Sequence, residues 1–324
     1  MRSFPNGELM KLSNNGFWWY STDLSDGEYS YQFNIDGEKL IADPWSKDVI
    51  WKDIIGLNES ADFQRAKTNF SIGGSSYDWG DSDYQRPIVN ELIIYEMHVG
   101  DFGPNENQYG TFEEVTSKIE SGYFEQLGIN AIELMPVSEF EGSFSWGYNP
   151  SFYMAPESQY GTPEDLKRLV DVAHQHGIAI LLDVVFNHLW GSSPLFQLYQ
   201  PLDNYNWQDH DFSNCPYFDD EESLWGYKLE HWHQVSGREY RGWKHIVDAL
   251  DVWVYDYHID GFRFDYTPGI GWGGDSNGAS FYANYLDNID SGLILIAEED
   301  NYYQINQTDF DSGWDYSYFH TLDA

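Results

Sequence analysis

Three side chains in the C-terminal third of the chain have the types and spacing for nucleophilic and acid–base chemistry. Arg263 and Asp265 lie in Gly-Phe-Arg-Phe-Asp-Tyr, residues 261–266, and Glu298 lies in Ile-Ala-Glu-Glu, residues 296–299. In an extended strand, residues two apart point the same way. Arg263 and Asp265 therefore share one face, and Phe262 and Phe264 share the other. The aromatic face calls for a covering layer, and the charged face is tolerated only where charges meet each other or a polar site. A guanidinium beside Asp265 should keep that carboxylate ionised and available as a nucleophile. Taken alone, the pair reads equally well as a structural ion pair. Glu298 follows Ile294 and Ile296 on the same face, an apolar setting that should raise its pKa and keep it protonated. Adjacent strands lie about 4.8 Å apart, and carboxyls about 5–5.5 Å apart imply retention through a covalent intermediate.

The elements that must position these groups are legible from residue 91 onward. Leu92 to Val99 reads as strand one. Thr111 and Glu114 form a capping box for a helix that buries Val115, Ile119, Phe124 and Leu127 and stops at Gly128. Ala131 to Pro136 is strand two. Thr162 caps the next helix, with Pro163 at its first position and a buried stripe of Leu166, Leu169, Val170 and Ala173. Ile178 to Phe186 is strand three, a continuous apolar run of the kind buried on both faces. It ends in Asp183, Asn187 and His188. A helix carrying Trp243, Ile246, Val247, Leu250, Trp253 and Tyr257 leads to strand four at Gly261, and Leu293 to Glu298 is strand five. Repeated βα units imply a parallel sheet, and their number favours a (β/α)8 TIM barrel whose chemistry sits at the C-terminal strand ends. Phe310 to Leu322 reads as strand six.

Residues 1–88 read as a separate small β domain. Tyr29, Tyr31, Phe33 and Ile35 alternate with polar residues, and Asp36-Gly37 supplies a hairpin turn before Lys39 to Ala42. Residues 57–87 are polar and Gly-rich, which suits a connecting region. The barrel then occupies 89–324, with an aromatic-rich inserted subdomain at about 189–240, far longer than the few residues usual for a βα loop. His231 and His233 flank Trp232, and an isolated His-x-His is a weak metal signal. His98 on strand one either touches substrate or fills the barrel. Neither enters the catalytic set.

Composition sets the partners. Lys plus Arg is 16 against 54 Asp plus Glu, a formal net charge of −38. That balance excludes nucleic-acid and anionic-membrane partners, which need a basic footprint, and it suits a neutral substrate. It fits either a salt-rich habitat or an ordinary acidic soluble protein. Aromatics make up 18% of the chain, with 14 Trp and 25 Tyr, and flat rings with polar tips suit stacking on sugars as well as cores. Cys215 is the single cysteine, so no internal disulfide forms. No apolar run spans a membrane, and no signal-peptide core is present at the N-terminus, so a cytoplasmic location is expected.

Together the motifs resemble glycoside hydrolase family 13, the α-amylase family. The matching stretches are Asp183-Val-Val-Phe-Asn187-His188, Gly261-Phe-Arg263-Phe-Asp265 and Ile296-Ala-Glu298-Glu299, with Gly128 to Pro136 similar to the strand-two signature. The resemblance covers residues 91 to about 320. It implies Asp265 as nucleophile, Glu298 as general acid/base, and Arg263 as the group that orients Asp265. It implies that His188 hydrogen-bonds the sugar, that Tyr148 in Trp146-Gly147-Tyr148-Asn149-Pro150 stacks on it beside Trp146, and that Asp183 ties strand three to its neighbours. Asn187 stands where some members bind calcium; no cofactor is required, and calcium remains open. Tyr29 to Trp45, then Asp78-Trp79-Gly80 and Arg86-Pro87, resemble the immunoglobulin-like module and lead-in of branching and debranching enzymes. The implied activity is retaining hydrolysis of α-1,4-glucans by a monomer. A branching transferase and a non-catalytic glucan-binding protein are the alternatives. The family's third catalytic carboxylate, in a His-Asp pair on strand seven, has no counterpart, since His320-Thr321 does not match it. The chain is therefore expected to be an N-terminal part of the enzyme, with strands one to six only and negligible activity alone.

Overall fold

The computed structural model describes residues 7–51, 66–103, 109–142, 144–199, 212, 215–222 and 225–315. Its centre is a six-stranded parallel sheet. The strands are β1 (Ile94–Met97), β2 (Ala131–Leu134), β3 (Ala179–Val184), β4 (Gly261–Phe264), β5 (Ile294–Ala297) and β6 (Ser312–Gly313), hydrogen-bonded in the order β6-β5-β4-β3-β2-β1. This is an incomplete barrel of the (β/α)8 kind, with sequence neighbours lying side by side. The expected strands one to five are all present, each shorter than its apolar run. For strand six only Ser312–Gly313 is described, and residues 316–324, with His320, lie outside the described residues.

Alternation sorts the side chains into two layers. Ile132, Leu134, Ile180, Leu182, Phe262, Phe264 and Leu295 point outward into the main core, where helices cover them. Ala131, Ala179, Leu181, Ile294 and Ile296 point inward as a smaller cluster. Phe262 and Phe264 are fully buried, so the aromatic face found its covering layer. The helix α1 (Phe112–Glu120) has the Thr111–Glu114 capping box. Gly122, at φ 71°, breaks it from a short second helix, Tyr123–Leu127, where one continuous helix was expected. The helix α2 (Pro163–Gln175) starts on a Thr162–Asp165 capping box with proline in the first turn. Its stripe of Leu166, Leu169, Val170 and Ala173 has no solvent exposure; each such leucine or valine contributes about 1.5–3 kcal/mol by burial. The helix α3 (Gly242–Asp251) runs into a π-helical turn, Val252–Asp256, before the chain enters β4.

Before β1 the described regular structure is strands apart from one short 3-10 turn. Ala66–Ile72 pairs with both Gly27–Tyr31 and Val49–Trp51. That central strand falls in the stretch expected to be a connection. The signal was present, since Ala66, Thr68, Phe70 and Ile72 alternate with polar residues, but the glycines that follow obscured it. Pro150–Pro156, fully buried and paired with Ser138–Phe140, was also not anticipated, because two prolines bound it and no alternation marks a strand with both faces covered.

The N-terminal strands are tied into the barrel by specific contacts. The Trp51 indole N–H donates to Glu139, whose carboxylate also accepts from the Ser158 N–H at 2.7 Å. Glu139 and Glu157 are both fully buried. Burial, with Glu157 close by, holds Glu139 well above the usual carboxylate range, and burial pushes Glu157 up to about 8. Trp51→Phe removes a donor from this closed site. It is expected to lower unfolding stability by about 1–3 kcal/mol, read as a fall in urea midpoint at unchanged m-value. A midpoint equal to that of the parent would show that the contact contributes nothing.

The lead-in to β1 is held by a charged cluster at the base of the sheet. The His174 ring meets Asp81 at 3.0 Å through Nδ1 and Asp260 at 2.9 Å through Nε2. Asp81 also meets His258 Nδ1 at 2.8 Å, and Arg86 pairs with Asp260 and Asp290, both at 2.9 Å. Tyr84 stacks on His174 and Trp79 on His258. Two carboxylates facing two ring nitrogens require an imidazolium. Burial alone would lower the His174 pKa; the carboxylates outweigh it and raise it. A raised histidine pKa adds stability that is complete below its unfolded value of about 6.5 and fades as pH rises through the folded value. Asp81→Asn should therefore destabilise strongly below pH 6.5 and progressively less above it. A pH-independent loss in urea titrations would contradict this reading.

Candidate active site

The register of the sheet brings the charged residues together. Asp183 on β3 is level with Arg263 on β4, which is level with Ile296 on β5. Asp265 and Glu298 follow just past the strand ends, their N–H groups donating to Val184 O at 3.0 Å and Phe264 O at 3.1 Å. Arg263 is the hub. Its Nη1 donates to Asp183 Oδ1 at 2.8 Å and lies 3.1 Å from Asp265 Oδ1, and its Nη2 lies 3.0 Å from Glu298 Oε1. The guanidinium also sits 4.9 Å from the ring centroid of Trp314, a cation–π contact. Its Nε is buried without a hydrogen-bond partner.

One cation faces three carboxylates, and burial decides how protons distribute. Burial pushes Asp183 up to about 8, against the pull of Arg263. Asp265 is also raised: burial outweighs Arg263 and the Asn187 hydrogen bond, both of which lower it. This corrects the expectation that the guanidinium lowers the Asp265 pKa and so keeps that carboxylate ionised. A shared cation compensates each partner less than a dedicated one would. Glu298 stands in a setting different from the one expected. Its carboxylate does not stand in an apolar column; Arg263 holds Oε1, and the Tyr266 peptide N–H donates to Oε2 at 2.5 Å.

The remaining predicted residues gather around this hub. Asn187 Nδ2 donates to Asp265 Oδ2 at 2.9 Å, while its Oδ1 faces His188 Nδ1. Among the described residues no group of three or more His, Cys, Asp or Glu could hold a metal. His188 is buried, its Nε2 lies 2.9 Å from Tyr148 O, and burial lowers its pKa to about 4. Tyr148 is half-buried, and its hydroxyl donates to Asp183 Oδ2 at 2.8 Å. Gly147 makes this loop possible: at φ 91° a Cβ there would fall 2.2 Å from Pro136 O. Trp146 stands exposed beside it.

Two of the weaker histidines are core groups. His98 hydrogen-bonds Ser145 O at 2.8 Å and the Tyr160 hydroxyl at 2.9 Å. His231 is buried against the Tyr282 hydroxyl. Sequence reasoning missed Glu133 on β2, level with Leu181, which burial pushes up to about 7. Its inward position follows from alternation with Ala131, so the signal was available. Trp314 was noticed only as part of a strand. Its place against Arg263 depends on β6 pairing with β5, which single-residue patterns do not encode.

A six-stranded parallel sheet with carboxylates and an arginine at its C-terminal edge defines a barrel enzyme scaffold. The family profile "Alpha amylase, catalytic domain" matches residues 93–284, and the chain belongs to the α-amylase family. The malto-oligosyltrehalose trehalohydrolase of Deinococcus radiodurans is 29% identical over 296 residues, covering 91% of this chain and 43% of that protein. A 1,4-alpha-glucan branching enzyme of Picrophilus torridus is 30% identical over 202 residues, covering 62% and 27%. A crystal structure from Salmonella typhimurium, provisionally described as an alpha amylase, superposes with a TM-score of 0.66 at 26% identity, covering 89% of this chain and 43% of that one. The chain thus spans less than half the length of these relatives. No helix among the described residues is long and apolar enough to cross a membrane.

Proposed function

We propose that this chain carries the nucleophile and the general acid/base of a retaining α-glucan hydrolase that cleaves α-1,4 bonds in starch, glycogen or maltooligosaccharides. The observation that supports this most is the single guanidinium holding Asp183, Asp265 and Glu298 at the ends of three adjacent strands. In this reading Glu298 gives its proton to the glycosidic oxygen while Asp265 attacks the anomeric carbon. The bond to the leaving sugar breaks as the covalent glycosyl-enzyme forms. Glu298 then takes a proton from the incoming water as the water oxygen bonds the anomeric carbon and the bond to Asp265 breaks, which releases the sugar with retained configuration. Two carboxylates on two nitrogens of one planar group favour the short separation that this route needs. Asp183 serves as a tie between strands. Trp146, Tyr148 and His188 line the sugar-binding side. The protein acts as a cytoplasmic monomer, without a required cofactor.

The Picrophilus relative favours a second reading, glucan branching. The two share chemistry up to the covalent intermediate and differ in whether water or a sugar hydroxyl resolves it. Incubation with amylose separates them: new reducing ends support hydrolysis, and new α-1,6 branches support transfer. Maltooligosaccharide binding without any turnover, in a polypeptide that includes the whole barrel, would overturn both in favour of a binding protein.

A further inference from the structure

Four described non-glycine residues have positive φ: Asp36, Ser236, His258 and Tyr266. Asp36 and Ser236 precede glycines in hairpin turns, and His258 belongs to the cluster at the base of the sheet. Tyr266 is different. It directly follows Asp265, it is aromatic, and it sits at φ 39°, ψ 59°. For a bulky residue that conformation is an outlier costing on the order of 1–3 kcal/mol, and such strain concentrates at functional sites.

The outlier has a visible consequence. Left-handed backbone at Tyr266 turns its N–H back toward β5, where it donates to Glu298 Oε2 at 2.5 Å. Glu298 is thus gripped at both oxygens, by Arg263 on Oε1 and by this peptide on Oε2. The turn is locked from below, because Gly269 N donates to Tyr266 O at 2.8 Å and Thr267, fully buried, bonds Phe264 O at 3.0 Å. The ring, half exposed, lies over Gly269, where a Cβ would fall 2.3 Å from its Cδ1. With the ring in this position, only glycine has room at 269.

We propose that Tyr266 is a positioning residue for Glu298: its peptide N–H, aimed by the left-handed turn, fixes the carboxylate beside Asp265. The consequence for catalysis rests on the acid/base role proposed for Glu298; the grip itself does not. Of the two donors, Arg263 is buried and committed to three carboxylates, whereas the Tyr266 N–H lies on an accessible turn. It is the donor that can release Oε2 when that oxygen carries the proton.

The test follows the Glu298 side-chain carboxyl by carbon NMR through a pH titration of the 324-residue chain, with urea midpoints in parallel. Tyr266→Gly keeps the left-handed turn at no steric cost and should leave the Glu298 midpoint in place. Tyr266→Val cannot hold that turn without strain and should raise the midpoint by about half a unit or more, because a donor to the charged form is lost. Gly269→Ala should raise it as well, from the ring side, and the double variant Tyr266→Gly with Gly269→Ala should restore it. Wild-type titration in both Tyr266→Val and Gly269→Ala would overturn the proposal, as would an equal rise in Tyr266→Gly. If Tyr266→Val does not fold, Gly269→Ala and its double variant decide alone. None of these readings needs turnover, so failure of a polypeptide that includes the whole barrel to cleave glucan would sink the proposed function and leave this result standing.

Discussion

Asp265→Asn is expected to lower glucan turnover by roughly 10⁴-fold or more while leaving maltooligosaccharide binding nearly unchanged. The assay belongs in a polypeptide that includes the whole barrel. The substitution is nearly isosteric. It keeps an oxygen for Arg263 Nη1, 3.1 Å away in the parent, and it leaves Asn187 and Arg263 where they are. What it removes is the charge that attacks the anomeric carbon in the proposed mechanism. A purely structural ion pair would give the opposite pattern, a large loss of stability and little selective loss of rate. Turnover within about tenfold of the parent, with intact folding, would remove Asp265 from the nucleophile role. A KM change at constant turnover would point instead to a binding role for this carboxylate.

Arg263→Met is expected to cost about 3–5 kcal/mol of unfolding stability near pH 8, because breaking a buried ion pair strands its partners. Asp183 has almost no solvent contact and Asp265 little. The sign of the pH dependence follows from their shifts. Both carboxyls already have folded pKa values above the unfolded ones, and Asp183 reaches about 8. A raised carboxyl leaves the native state fully favoured only below the unfolded value and costs stability as pH rises through the folded one. Without the cation both values climb further. The penalty should therefore shrink toward pH 5 and widen toward pH 8 in urea titrations. An equal loss at both pH values would assign Arg263 a packing role against Trp314 rather than an electrostatic one. Arg263→Lys should recover only part of the loss, since an ammonium cannot meet Asp183, Asp265 and Glu298 in the planar fork that a guanidinium presents.

The strands that carry Asp183, Arg263, Asp265 and Glu298 were legible because each is a short apolar run that ends in charge, and because parallel strands deliver their ends to one edge. Periodicity two also placed Phe262 and Phe264 against the outer helices. Contact between strands was not legible. That Glu298 shares a guanidinium with Asp183 depends on the register of three strands far apart in sequence. So does the fate of Asp265, whose ionisation is set by burial as well as by its neighbour two residues away. Tyr148 shows the same limit: its hydroxyl donates to Asp183, a contact that depends on the turn at Gly147. The strained backbone of Tyr266 leaves no mark on residue type. Nothing in the sequence asks for a left-handed tyrosine.

The indole of Trp51 buried against Glu139 has a bearing on how such chains are built and rebuilt. An N-terminal module joined by a flexible tether can be cut off, swapped or fused as a cassette. The strands before β1 differ, because Trp51 supplies a hydrogen bond to the buried Glu139 and packs its ring edge-on against Phe152. Grafting a different module onto this barrel would need a replacement donor at the position of Trp51, or a Glu139 changed to an uncharged residue in the same step.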